Sequence, residues 1–173
     1  DGGTTWTNAY GPTQRQDTAW NKVTIQLDPS YIVPNFRVRF YFKSDSSVNQ
    51  LGWYVDDLGI ASFTPPPMTV AYSEDFEDDN GGFTTSVEAG GTGTISWAWG
   101  TPTAHGTYPG GAHSGSKLWA TGLSAVYNPY ERSLLTSPDI DLSEFADDAL
   151  APTLKFWYWM DIESTSYDWG EVR

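Results

Sequence analysis

The stretch from Gly52 to Ile60 carries two adjacent carboxylates, Asp56 and Asp57, inside a predicted β-strand. Glycines bound it, and it is rich in aromatic and β-branched residues, which is typical of strands. Because side chains alternate along a strand, one face would hold Trp53, Val55 and Asp57, and the other Tyr54, Asp56, Leu58 and Ile60. Whichever face meets the core, one carboxylate points inward or toward the rim. Such a carboxylate needs a cation, an arginine or N–H donors, which suggests a structural metal site.

Other residues that could perform catalysis do not fall in catalytic patterns. His105 and His113 are the two histidines of the chain, and no His-Glu-x-x-His sequence is present to form a peptidase zinc site. Ser114 follows His113 but lacks the Gly-x-Ser-x-Gly pattern of a nucleophile elbow. Asp161 and Glu163 would share a strand face, yet acidic residues are so frequent that such a pair is expected by chance. The sequence therefore predicts a protein without enzymatic activity.

The elements that must position these residues are short strands. The segment from Thr153 to Glu163 alternates most clearly, with Leu154, Phe156, Tyr158, Met160 and Ile162 on one face. Phe36 to Lys43 alternates in the same way, with Phe36, Val38, Phe40 and Phe42 together. Trp20 to Leu27 and Val70 to Glu77 are further predicted strands. With 17 glycines, 11 prolines and no periodic helical segment, the chain is predicted to be all-β, an antiparallel β-sandwich.

Composition excludes several classes of partner. Nine basic against 22 acidic residues give a formal net charge of -13, which repels phosphate backbones, so no nucleic-acid partner is expected. The chain has no cysteine, which excludes disulfides, thiolate metal sites and cysteine nucleophiles. No run approaches the roughly 18 apolar residues of a membrane span. The absence of Asn-x-Ser/Thr sequons favours a prokaryotic source.

Several stretches together resemble a family. These are Asp75-Phe76-Glu77 with Gly82-Phe83, Trp97-Ala98-Trp99-Gly100-Thr101-Pro102, Ala112-His113-Ser114-Gly115-Ser116, Leu135 to Ser143, Leu154 to Trp159, Asp1 to Trp6, Val38-Arg39-Phe40 and Gly52 to Asp57. The set is similar to the MAM-like jelly-roll (concanavalin A-like) modules found beside immune-inhibitor-A-type secreted metallopeptidases and in bacterial surface repeat proteins. The resemblance implies a jelly roll and a secreted or cell-surface location.

The order of these motifs departs from the family. Residues 1–63 resemble the second half of a module and residues 70–173 the first half of the next or the same module. Thr64 to Thr69, with three consecutive prolines, would be the linker, because such a segment is stiff and extended. Either both halves pair within one chain as a circular permutant, or each pairs with a neighbouring copy. The stiff linker favours the second arrangement, one period of a tandem array joined head to tail.

The resemblance also implies where a metal would bind. Modules of this kind often carry a structural calcium between their first and last strands, and Glu77 and Asp57 match those positions. Asp79 and Asp168 complete the predicted set of ligands, since calcium takes six to eight hard oxygens. The alternative is that residues 78–80 form a solvated turn and that Asp56 pairs with Arg37 or Arg39.

Aromatic residues could form a binding surface. Trp157 and Trp159 would lie on the polar face of their strand, with Trp169 nearby. Sugars stack on such faces, and aromatic residues also anchor protein interfaces; packing or self-association is favoured. The sequence thus predicts a non-catalytic extracellular structural module of a repeat protein, adhesin or filament, whose partners are copies of itself. The alternative is a carbohydrate-binding accessory module of a secreted hydrolase, with glycans as partners.

Overall fold

A computed structural model describes residues 2–13, 16–62, 69–89, 91, 94–103, 110–146, 152–164 and 166–173. Within these ranges the chain forms eleven strands and two 3-10 turns. The strands are β1 (Tyr10–Thr13), β2 (Asn21–Gln26), β3 (Arg39–Lys43), β4 (Gly52–Ala61), β5 (Val70–Glu74), β6 (Thr84–Val87), β7 (Trp97–Gly100), β8 (Leu118–Thr121), β9 (Arg132–Thr136), β10 (Thr153–Asp161) and β11 (Trp169–Val172). The 3-10 turns span Pro29–Tyr31 and Ser143–Phe145.

The strands form two antiparallel sheets that pack face to face. The first sheet has the order β1-β11-β3-β9-β6, and the second β2-β10-β4-β8-β7, with β5 also paired to β4. The longest strand, β4, pairs with β10 along one edge and with β5 and β8 at different points of the other. The prediction of an all-β antiparallel sandwich is confirmed, and the jelly-roll connectivity stays a prediction.

Both sheets combine strands from the two predicted halves. In the second sheet, β10 lies between β2 and β4, and in the first, β11 lies between β1 and β3. Ala9 N–H donates to the carbonyl of Val172 at 2.6 Å, so the first and last strands are neighbours. Of the predicted linker at 64–69, all but Thr69 lies outside the described residues; Ser62 N–H donates to the Thr69 carbonyl at 3.0 Å. The domain boundaries and the pairing of halves between copies stay predictions.

The main core lies between the sheets and matches the alternation of the sequence. The five residues predicted to share one face of β10 are all buried in it, as are Val38, Phe40 and Phe42. Phe40 lies edge-on to Phe156, with ring centroids 5.3 Å apart, and to Trp53 at 5.5 Å. Fully burying a side chain of this size contributes about 1.5–3 kcal/mol, so this layer is the principal source of stability.

A β-bulge in β4 overturns the alternation predicted for Gly52 to Ile60. Trp53 and Val55 share a face as predicted, and it is the face that meets the core. Leu58 and Ile60 face the core too, instead of sharing the opposite face with Asp56. The register against β10 shifts between the pairs Trp157↔Asp56 and Lys155↔Gly59, and Asp57 has φ +50°. The extra residue in β4 restores the inward position for the apolar residues that follow it. It also leaves both aspartates outside the apolar core.

A second, smaller apolar cluster covers part of the outer face of the six-stranded sheet. It contains Tyr54, Leu118, Ala120 and Trp159, with Trp20, Leu51, Ala112 and Leu123 packed around it. Tyr54 and Trp159 meet edge to face at 5.2 Å. The loop 110–117 therefore lies on this outer face, next to the two aspartates of β4.

Candidate functional site

Asp56 is fully buried and its carboxylate holds the loop 110–117 by hydrogen bonds. Its Oδ2 accepts from the backbone N–H of His113 at 2.8 Å and of Ser114 at 3.3 Å, and its Oδ1 accepts from the N–H of Asp57. Burial, and then the adjacent charge of Asp57, raise the pKa of Asp56 to about 7, although the three N–H donors act in the opposite direction. The alternative interpretation, that Asp56 pairs with Arg37 or Arg39, is wrong. Backbone donors are its partners.

Asp57 binds the side chains of the same loop. Its Oδ2 lies 2.5 Å from Nδ1 of His113, and its Oδ1 accepts from the hydroxyl of Ser114 at 2.6 Å. Serine, histidine and aspartate are thus together, but the hydroxyl bonds to the carboxylate instead of the imidazole. A hydrolytic triad needs the serine to bond to the histidine, which acts as its base. The geometry instead fastens the loop to the bulge of β4.

Glu77 and Asp79, two other predicted metal ligands, also bond to nearby backbone. The Oε1 of Glu77 accepts from the N–H of Ser116 at 2.8 Å and of Lys117 at 2.7 Å, and its Oε2 bonds to the Ser116 hydroxyl. These donors lower the pKa of Glu77. Asp79 accepts from the N–H of Gly81 at 2.7 Å, within its own turn. Three carboxylates, those of Asp56, Asp57 and Glu77, therefore clamp residues 113–117.

Asp168, the fourth predicted ligand, lies elsewhere, in an acidic cluster with Asp45 and Glu163. The three are placed by the end of β3, the end of β10 and the turn before β11, and one carboxylate oxygen of each lies within 4.8 Å of the others. Among the described residues this is the group whose geometry could hold a metal ion. Oxygen ligands on opposite sides of one calcium ion lie at most about 5 Å apart, so the cluster is compact enough for its carboxylates to share a single cation.

One shielded carboxylate oxygen in the acidic cluster has no hydrogen-bond partner. Asp168 is buried: its Oδ1 accepts from the N–H of Asp45 at 2.7 Å and its Oδ2 from the hydroxyl of Tyr127 at 2.5 Å. Oε2 of Glu163 is shielded from solvent and has no hydrogen-bond partner. Desolvation, followed by the charges of Asp45 and Asp168, raises the pKa of Glu163. A bound cation would satisfy this oxygen and relieve the repulsion.

Asp45 and Glu163 were not among the predicted ligands, and no local signal marks them. They are more than a hundred positions apart in sequence and meet because β3 and the turn after β10 end at the same place. Asp45 also accepts from the N–H and hydroxyl of Ser47, a short-range turn that resembles many others in an acidic chain. In the sequence, Glu163 stands out only as a neighbour of Asp161 on one strand face.

The three predicted aromatic positions do not form a common exposed surface. Trp159 is 2% exposed and packs in the outer apolar cluster. Trp157 is stacked by the ring of His113 at 3.9 Å and 14°, and Nζ of Lys22 lies 5.6 Å from its centroid. Trp169 is on the other sheet, edge-on to Tyr41 at 4.8 Å. The aromatic faces that a sugar would need are therefore largely covered.

Arg37 and Arg39, the alternative partners of Asp56, contact other residues. Arg37 forms an ion pair with Asp139, with Nε 2.5 Å from Oδ1. Arg39 stacks its guanidinium over the ring of Trp6 at 4.0 Å.

His105 lies outside the described residues. In the described part of the chain, no helix has the length and apolar character needed to cross a membrane.

Comparison with known proteins gives one partial similarity. The chain is 34% identical over 126 residues to Bacillopeptidase F of Bacillus subtilis (strain 168). The aligned region is 72% of this chain but 8% of Bacillopeptidase F, so it corresponds to a small part of that protein. No family model matches the chain, and no solved structure matches it. The similarity and the all-β sandwich together fit a β-sandwich accessory module.

Proposed function

We propose that the chain is a non-catalytic accessory module of a longer extracellular protein, with a MAM-like jelly-roll fold. The observation that carries this proposal is the mismatch in coverage: most of this chain aligns with 8% of a protein named as a peptidase. A region so small relative to the whole is the size of an appended domain. The bonding of Ser114 to Asp57, instead of to His113, supports a structural role for these residues.

The proposal is tested by incubating the purified chain with casein. We expect no hydrolysis, because no described serine is activated by a histidine. Hydrolysis by the wild-type chain that is lost in His113→Ala, but not in the exposed control Arg132→Ala, would contradict a non-catalytic role. The folding of both variants is checked by circular dichroism.

We also propose that the module associates head to tail with copies of itself by exchanging halves, as one period of a surface repeat or filament. Neither half closes a sheet alone, because β2 and β4 both need β10 from the other half. An open sheet edge of this kind recruits a strand from another chain, and exchange of identical elements is a low-cost route to assembly.

A pair of engineered cysteines distinguishes exchange from closure within one chain. Thr24 of β2 lies opposite Lys155 of β10, so Thr24→Cys with Lys155→Cys links the two predicted halves. Exchange would give covalent dimers and higher species on non-reducing gels. The control pair Thr84→Cys and Thr136→Cys joins β6 and β9 of one half and should give linked monomers in either case. Linked monomers from both pairs at all concentrations would contradict self-association by exchange.

The acidic cluster supports a proposal of structural calcium. Asp45, Glu163 and Asp168 supply at least three oxygens, and backbone carbonyls or water would complete the shell. A cation there would fasten the end of β3 to the turn that connects β10 and β11. Its role would be to stabilise the fold, since a ligand bound only to the folded state raises its stability.

A further inference from the structure

A groove of about 520 Å³ crosses the outer face of the six-stranded sheet, beside the loop 110–117. Its lining residues come from β2, β10, β4, β5 and the segment that follows β5. Its floor contains Gly59 and Ala61, which follow the bulge of β4 and leave the sheet surface low. The second apolar cluster covers the neighbouring part of this face but not the groove.

The two ends of the groove carry opposite charges. Lys22 on β2 and Lys155 on β10 lie at one end, close enough that Lys22 lowers the pKa of Lys155 in addition to the effect of burial. Asp75 and Asp78 lie at the other end, in the segment that follows β5. Asp57 lies between the two ends, with its carboxylate bonded to His113 and Ser114. Adjacent strands are about 4.8 Å apart, so three strand spacings place the charged ends roughly 14 Å from each other.

The lining argues for a peptide and against a sugar. A sugar ring binds by stacking on an open aromatic face, but the ring of Trp157 is already stacked against His113. The floor of small residues instead admits an extended backbone. A peptide in extended conformation advances about 3.4 Å per residue, so charged residues at positions one and five span roughly 14 Å.

We propose that this groove binds an extended peptide segment of about five residues, with an acidic group at Lys22 and Lys155 and a basic group at Asp75 and Asp78. The charge complementarity at both ends fixes the direction of the peptide across the strands. This function goes beyond a structural module and does not depend on self-association or on calcium. Binding through exposed charges is weak and decreases with salt.

The experiment is an amide NMR titration of the full chain with the capped peptide Lys-Ala-Ala-Ala-Glu. We expect chemical-shift changes centred on Gly59, Ala61 and Thr153, and a dissociation constant that rises at least threefold between low and physiological salt. The neutral peptide Gln-Ala-Ala-Ala-Gln should bind at least tenfold more weakly. The substitutions Lys22→Glu and Asp78→Lys should each weaken binding of the charged peptide about tenfold.

The matched control is Arg132→Glu, which reverses an exposed cation on β9 of the other sheet and should leave binding unchanged. Equal affinity for the charged and neutral peptides would overturn the proposal, as would shift changes outside the groove. A neutral tetrasaccharide tested in parallel gives a further outcome: if it perturbs the groove and the peptide does not, the occupant is a glycan and the proposal is wrong.

Discussion

At the scale of single residues, Asp56 and Asp57 show how adjacent identical side chains acquire different environments. Asp56 is buried and bonds only to backbone N–H groups, whereas Asp57 at the bulge bonds to an imidazole and a hydroxyl. Burial, more than any neighbouring charge, raises the pKa of Asp56. The backbone donors make this carboxylate part of the structure of the loop.

We predict that Asp56 makes stability depend on pH between about 4 and 7. In the folded chain its pKa is about 7, against an ordinary value of 3.8, so the folded state binds more protons across this window. Stability from this group is therefore greatest below about pH 4 and decreases as the pH rises to about 7. The expected decrease is about 1–3 kcal/mol. Urea unfolding of the wild type at several pH values measures it.

The variant Asp56→Asn isolates this contribution, because its amide oxygen can still accept from the N–H groups of His113 and Ser114. As the pH rises from 4 to 7, the unfolding free energy of the wild type should decrease relative to that of the variant. If the unfolding free energies of the wild type and the variant differ by the same amount at every pH in this range, Asp56 is ionised in the folded state throughout.

At the scale of elements, the sequence predicts strands well where alternation is uninterrupted. In β10 every second residue from Leu154 to Ile162 is buried in the core, as expected. In β4 the same reasoning is correct to Val55 and wrong from Leu58 onward. The bulge residue is Asp57, not glycine, so no residue type marks the change of register. A bulge depends on the partner strand, which a local pattern does not contain.

The residues of the candidate metal site could likewise be predicted only in part from the sequence. Asp168 was predicted as a ligand and does lie in a group that could hold a metal, but its companions Asp45 and Glu163 come from distant strands. Asp57 and Glu77 were expected to share an ion; in the structure each bonds to a different part of the loop 110–117. The composition predicts that carboxylates will need partners. Only the order of strands in the sheets determines which partners they meet.

We predict that the close approach of the two sheets makes Gly170 of β11 intolerant of a side chain. A Cβ atom there would lie 2.6 Å from the ring of Trp53. The ring is fixed in the core by Phe40 and Trp97, so Gly170→Ala should destabilise the fold by about 1–3 kcal/mol. The shift in urea midpoint measures this loss.

A matched control is Gly59→Ala in β4, where the nearest atom to an added Cβ is 3.5 Å away. Its unfolding free energy should change by less than about 0.5 kcal/mol. Equal destabilisation by the two substitutions would mean that loss of glycine, and not contact between sheets, determines the effect.

At the scale of the whole molecule, the charge of -13 should make stability sensitive to calcium. At a calcium concentration a hundred times the dissociation constant, binding contributes about 2.7 kcal/mol to the folded state. For a chain of this size that corresponds to roughly 5–10 °C in Tm. Differential scanning calorimetry with calcium and with EDTA measures the difference.

Two variants locate the ion. Glu163→Gln removes a charge of the acidic cluster and should abolish the effect of calcium on Tm. Asp79→Asn changes an exposed carboxylate outside the cluster and should retain it. If Asp79→Asn abolished the effect of calcium on Tm and Glu163→Gln retained it, the ion would lie at the site that the family resemblance implies. An unchanged Tm in EDTA would contradict structural calcium.

The interleaving of early and late strands has a consequence for how the chain folds during its synthesis. The apolar face of β4, with Trp53 and Val55, is fully covered only when β10 and β11 have been made, because they lie beside and opposite it. At 5–20 residues per second, this face stays uncovered for on the order of ten seconds on each nascent chain. A holdase chaperone that binds aromatic segments therefore has its longest opportunity at β4, and β10 and β11 release it as they emerge.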